Sequence, residues 1–322
     1  MARVFITSRF YEEEAQRLRA AGHTVAIRDG SEPIPRDELL AGAADADALI
    51  CLLSDRIDAD VLAAAPRLRV VANAAVGYEN VDVEAAETRA VVVTNTPDVL
   101  TEATADLTFA LLLAAARNVT IADRGLRAGE FPAWGLQQPL LGFDVHGKTL
   151  GIVGMGRIGT AVARRGRFGF GMRILYHNRH RSPDEAALHA EWRSFEQLLA
   201  ESDFVSVHVP LTDETRHLFD RVALERMKPS AVFVNVSRGA VVDEEALAEA
   251  LAAQRIAAAG LDVFENEPRV HPSLLELSDR VVLTPHLGSA TVATRRAMSR
   301  LCVENVLAVL AGDPPLTPVG RR

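Results

Sequence analysis

Along the first hundred residues, short apolar runs rich in β-branched side chains alternate with stretches whose apolar positions recur every three to four residues. Val4-Phe5-Ile6-Thr7, Val25-Ala26-Ile27, Ala48-Leu49-Ile50-Cys51-Leu52, residues 68–72 and Val91-Val92-Val93 predict five strands. The spacing predicts a helix over Glu12–Ala20 and further helical sequence between the later strands. Strands alternating with helices imply βαβ units and a parallel sheet covered on both faces. Residues 101–117 are the most hydrophobic helical stretch of the chain, with Thr101 as its expected N-cap. A helix apolar on nearly every side is buried, and this one is expected to lie between domains or between subunits. Residues 125–144 then bring glycines, prolines and the exposed-looking Phe131 and Trp134, which read as a loop or as an arm leaving the domain.

A second alternating series follows. Residues 149–153, 173–176, 204–208, 231–235, 258–262 and 281–284 predict six parallel strands, the number of a complete doubly wound dinucleotide domain. Ser194-Phe195-Glu196-Gln197 fits a capping box. One more amphipathic helix runs over residues 291–310. The expected fold is therefore α/β, with two doubly wound parallel-sheet domains. Residues 1–100 plus 289–322 form a flavodoxin-like substrate domain, and residues 101–288 an inserted Rossmann domain. Two chain crossings near residues 100 and 288 would make a hinge, which suits a cleft that closes over substrate.

Of the 322 residues, 48 % are hydrophobic and 24 % charged, the balance of an ordinary globular protein. Asp106 interrupts the richest apolar stretch, so a membrane span is not expected. The chain runs from Met1 straight into strand-like sequence, and Cys51 and Cys302 sit in apolar surroundings without metal or redox spacing. Buried, reduced thiols in the cytoplasm and no bound metal are the expectation. The net charge of −8, from 35 basic and 43 acidic residues, disfavours nucleic acid and anionic membrane as partners. It says nothing against a small anion, because a local site field is independent of the global balance.

Gly154-Met155-Gly156-Arg157-Ile158-Gly159 is a G-x-G-x-x-G that follows an apolar strand and opens a helix, the context in which the motif carries weight. Gly154 would allow the tight turn, Gly156 the approach of a pyrophosphate, and Gly159 close packing of helix on strand. The free N–H groups and positive dipole end of the helix favour phosphate. An NAD site usually places an acid about 20 residues on, to accept from the ribose 2′-hydroxyl. Here the second strand ends His177-Asn178-Arg179-His180-Arg181, with two guanidinium groups and no carboxylate. A 2′-phosphate would be gripped by such arginines. NADP(H) is therefore the preferred cofactor, with NAD(H) as a possible second; the alternative is that Arg179 and Arg181 are solvated.

Three segments end the last three strands, where ligands bind in open α/β sheets. They are Asn235-Val236-Ser237-Arg238-Gly239, Leu261 through Pro268, and Thr284-Pro285-His286-Leu287-Gly288-Ser289-Ala290. Arg238 can hold a carboxylate, and His286, with an acid beside it, can pass a proton. That is equipment for reducing a 2-keto acid. By spacing, His208 and His217 compete with His286, and Glu265 competes with Glu267 as its partner.

Together these motifs resemble the signatures of the D-isomer-specific 2-hydroxyacid dehydrogenases, and within them the glyoxylate/hydroxypyruvate reductases, over essentially the whole chain. The resemblance implies that Arg238 binds the substrate, Glu267 polarises the histidine and His286 donates the proton. It places Asp262 near the nicotinamide carboxamide, and the backbone of Val76 and Gly77 at the substrate carboxylate, with Leu53 and Ser289 beside it. Thr104, Arg157, Ile158, Pro210 and Thr215 would lie along the cofactor, as would Val236, Ser237 and Gly288. Phosphite dehydrogenases of the family carry lysine where this chain has Val76, so a small monoanionic keto acid is expected. Glyoxylate reductases generally place a second aromatic beyond the Trp134 position, where this chain has Gln137-Gln138. That leaves open the choice among glyoxylate, hydroxypyruvate and a larger keto acid. A homodimer through residues 101–144 is also implied. The competing reading is a dinucleotide-sensing, corepressor-like binding protein, which can keep the triad.

Overall fold

The computed structural model describes residues 1–320. It divides into two compact units, Met1–Leu100 together with the chain from Ala290 on, and Thr101–Ser289.

The first unit is built on β1 (Arg3–Ile6), β2 (Thr24–Ile27), β3 (Ala48–Cys51), β4 (Val70–Asn73) and β5 (Val92–Thr94), all parallel in the order β2-β1-β3-β4-β5. Every residue of β3 and β4 is buried, as sheets covered on both faces require, which explains runs without polar alternation. Leu49, Cys51 and Val71 look to one apolar layer, and Ala48, Ile50, Val70 and Ala72 to the other, beneath the helix Val292–Ala311. That helix is capped by Thr291 at its start and by Gly312 in the left-handed region at its end. It is also tied to the helix Glu12–Ala20, since buried Glu14 accepts from both Arg17 and Arg300.

The second unit holds β6 (Thr149–Val153), β7 (Arg173–His177), β8 (Glu191–Trp192), β9 (Phe204–Val207), β10 (Val232–Asn235), β11 (Ala258–Leu261) and β12 (Val281–Leu283). The order is β12-β11-β10-β9-β6-β7-β8, again all parallel. The sheet thus has seven strands and not the expected six. The extra strand, β8, is two residues long and half-buried at an edge, too short to leave a periodic signal. Short caps delimit the helices: Asp220 and Asp243 accept from Ala223 and Ala246, and Ser194 with Gln197 forms the predicted capping box.

The apolar helix spans Thr101–Ala116, so Thr101 is its first residue and not the cap outside it. Its buried side chains, among them Ala105, Phe109, Leu111 and Leu112, join Ile152, Val232 and Val234 in the second unit's own core. Within the second unit it is buried because it covers a sheet face. Gly260 of β11 makes this possible, since a Cβ there would stand 2.9 Å from Leu111. A second helix, Val119–Arg127, leads into an irregular stretch that leaves Phe131, Trp134 and Leu136 more than four-fifths exposed.

Candidate active site

The glycine loop after β6 has the properties each glycine was expected to supply. Gly154 has φ +97°, and a Cβ there would stand 2.7 Å from the His208 carbonyl carbon. A Cβ on Gly159 would come within 2.3 Å of the Gly154 carbonyl oxygen, so only glycine lets helix Arg157–Arg164 start this close to the strand. At Gly156, by contrast, a Cβ would meet open space, and no side chain caps this helix. The backbone is therefore accessible, and the cradle fits a pyrophosphate. Asn178 grips the loop from both sides, accepting from the Met155 N–H at 2.6 Å and donating to its carbonyl at 3.3 Å. Pro210 and Thr215 share one turn, in which the Thr215 hydroxyl donates to the Pro210 carbonyl at 2.6 Å. Arg157 and Arg179 are exposed, Ile158 half-buried, and Arg181 paired with Glu185.

At the ends of β10, β11 and β12 the second unit assembles the charged residues. Asn235, almost fully buried, donates to the Arg238 carbonyl and accepts from both the N–H and the hydroxyl of Ser237, so it shapes the turn that presents Arg238. Val236 is buried. His286 meets Glu267: Nδ1 lies 2.9 Å from one carboxylate oxygen and 3.2 Å from the other. Burial pushes the Glu267 carboxyl up, but the hydrogen bond and charge of His286, the Phe264 N–H and the charge of Arg238 outweigh it and hold the group below the ordinary glutamate value.

The three histidines that spacing left as rivals are separated by geometry. Burial pushes His208 down to about 3, so it is neutral, and its Nε2 lies 2.8 Å from Ser206 Oγ. His217 pairs with Glu265 at 2.7 Å. Each glutamate thus has its own histidine, and of the three histidines only His286, the partner of Glu267, lies on the segment after β12.

Asp262, 1 % exposed, was expected at the cofactor. Its carboxylate accepts from the Thr284 hydroxyl at 2.6 Å, the Leu287 N–H at 2.7 Å and the Gly288 N–H at 2.8 Å, while its carbonyl accepts from the His286 N–H. This clamp holds His286 at φ +53°, a region side-chain-bearing residues rarely enter. Thr284 and Asn235 were not anticipated in these roles; a buried polar residue at a strand end was the available signal. Thr104 packs beside Gly288, within 3.4 Å of where a Cβ would stand. Ser289 is half-buried at the end of the same segment.

In the first unit, residues 73–78 follow β4. Asn73 donates to the Gly77 carbonyl at 2.7 Å, Asn95 donates to the Val76 carbonyl at 2.8 Å, and Asn80 bridges to the Leu52 carbonyl beside Leu53. The N–H groups of Val76 and Gly77 are half-buried and take no partner among the described residues. Two adjacent donors without a protein partner are available to an anion's oxygens.

The profile "D-isomer specific 2-hydroxyacid dehydrogenase, NAD binding domain" matches residues 109–288. A glyoxylate reductase of Thermococcus onnurineus is 50 % identical over 323 residues, covering 99 % of this chain and 96 % of that one. The crystal structure of the TT0316 protein from Thermus thermophilus superposes with a TM-score of 0.93 at 47 % identity, covering 99 % of this chain and all of that one. The structure of an NADPH-dependent glyoxylate/hydroxypyruvate reductase from Sinorhizobium meliloti, in complex with NADP and malonate, gives 0.84 at 36 % identity, over 100 % of this chain and 99 % of that one. A glycine cradle, a clamped His–Glu pair and these likenesses over the full chain lead to one conclusion: the protein belongs to the D-isomer-specific 2-hydroxyacid dehydrogenase family and is an NAD(P)-dependent oxidoreductase.

Proposed function

We propose that this protein reduces glyoxylate, and with it hydroxypyruvate, to the 2-hydroxy acid with NADPH. The observation that carries this reading is the Glu267–His286 pair beside Arg238, clamped by Asp262. Gly154, Gly156 and Gly159 would receive the pyrophosphate, and Arg179 with Arg181 the 2′-phosphate. When bound, the reduced cofactor supplies a hydride. Arg238 would hold the substrate oxygens, and the N–H groups of Val76 and Gly77 its carboxylate. His286, oriented by its hydrogen bond to Glu267, would give a proton to the carbonyl oxygen as the hydride arrives at the carbon, so that keto acid, hydride and proton sum to the hydroxy acid. The half-buried aliphatic Val76 suits a small monoanion. The Sinorhizobium relative's cofactor supports NADPH, and the glyoxylate reductases at about half identity support the substrate.

Steady-state rates with glyoxylate, hydroxypyruvate, pyruvate and phosphite, each with NADPH and NADH, test the reading. We expect NADPH with glyoxylate or hydroxypyruvate to lead, and His286→Ala to lower kcat by about 10²–10⁴-fold, the usual worth of a general acid. Full activity in that variant, or no turnover of any keto acid by the wild type, would overturn it; the latter would favour the dinucleotide-sensing alternative. The exposed apolar side chains of residues 119–143 fit a second copy of the chain, and we propose a homodimer through this region.

A further inference from the structure

The two arginines after β7 are not equivalent. Arg179 is exposed and makes no hydrogen bond or ion pair among the described residues. The Arg181 guanidinium lies 5.3 Å from the ring centre of Trp192, and its Nη1 donates to Glu185 Oε1 at 2.7 Å. Glu185 is itself anchored: its second oxygen accepts from the Tyr176 hydroxyl at 2.5 Å, Tyr176 is fully buried, and its hydroxyl oxygen accepts from the Ser182 N–H. Trp192 is fixed in turn by donating to the Asn178 carbonyl at 3.2 Å. The rim that reads as free of acids in the sequence thus has a carboxylate, borrowed from four residues past Arg181 and held in place by a core tyrosine.

We propose that Glu185 tempers this chain's discrimination between the two nicotinamide cofactors by competing with the 2′-phosphate for Arg181. The inference rests on the NADPH reading above. Two effects work in the same direction. A phosphate must displace Glu185 from the guanidinium, and an anchored carboxylate nearby repels a dianion. A ribose 2′-hydroxyl suffers neither, and can donate to a carboxylate. An exposed i,i+4 pair is weak, so the phosphate, with its stronger charge-assisted contact, still displaces it. Arg179 then acts as the ready contact and Arg181 as the regulated one.

Dissociation constants for NADP⁺ and NAD⁺, measured by isothermal titration calorimetry, test this without turnover. Glu185→Gln keeps a partner for Tyr176 and removes the charge; it should tighten NADP⁺ by about two- to fivefold, the worth of an exposed ion pair, and leave NAD⁺ unchanged or weaker. The gain should vanish in an Arg181→Ala background. Should Glu185→Gln fail to fold, Glu185→Ser removes the same charge. If the wild type favours NADP⁺ and neither Glu185 variant moves the ratio, the inference falls and the NADPH reading stands. If the wild type favours NAD⁺ and Arg179→Ala and Arg181→Ala leave the ratio unmoved, both fall together.

Discussion

Within the pair Glu267–His286, the carboxylate is the group whose protonation the fold opposes most clearly. Its folded pKa lies below its unfolded value, so its contribution to stability is present above the ordinary glutamate range and is lost as pH falls through the lowered value. Denaturant midpoints measured from pH 3 to pH 7 should therefore show the gap between wild type and Glu267→Gln closing only below about pH 4.3, the unperturbed value. At neutral pH, Glu267→Gln should lower kcat/KM for glyoxylate by about a hundredfold through the lost general acid. Glu265→Gln, whose side chain pairs with His217 and not with His286, should stay within about threefold of wild type, the scale of an exposed pair. Equal losses in the two variants would show that the histidine partners are not divided as the structure divides them. Spacing along the chain left Glu265 and Glu267 as rivals. They lie two residues apart in a loop, and the path of that loop decides which imidazole each one faces.

Two glycines separate close packing from ligand approach. A Cβ on Gly239 would stand 1.8 Å from the Phe264 carbonyl carbon, so the turn carrying Arg238 and the loop carrying Glu267 touch backbone to backbone. Gly239→Ala should cost about 1–3 kcal/mol as overpacking, read as a lowered thermal midpoint with activity lost alongside. Gly156→Ala meets no protein atom, and its φ of −88° suits any residue. It should leave the midpoint where it is and weaken NADP⁺ binding; unchanged affinity would show that the pyrophosphate does not lie over this position. The glycine motif was legible because its three positions follow a strand and open a helix. Gly239 was not singled out as a packing glycine, since nothing local in Ser-Arg-Gly-Ala announces a distant backbone at contact distance.

At the level of the molecule, no single helix among the described residues is long and apolar enough to cross a membrane, yet Phe131, Trp134 and Leu136 are exposed by more than four-fifths. Such a cluster is costly unless covered. Replacing Phe131 and Trp134 together by serine should shift sedimentation from dimer toward monomer while NADP⁺ binding is kept, because none of the cradle lies in that stretch. A wild type that sediments as a monomer would remove the proposed dimer. The alternation of strand and helix, the glycine motif and the presence of Arg238, Glu267 and His286 at strand ends were all determined by the sequence, because each depends on residues near one another in the chain. The two-residue β8, the sheet face covered by Thr101–Ala116, the division of glutamates between His217 and His286, the clamp of Asp262 on the His286 turn and the hold of Glu185 on Arg181 were decided only by the tertiary structure. The physical reason is common to them. A carboxylate's partner is set by directions and distances of a few ångströms between segments, and linear spacing tells which residues reach a rim without telling which of them meet there.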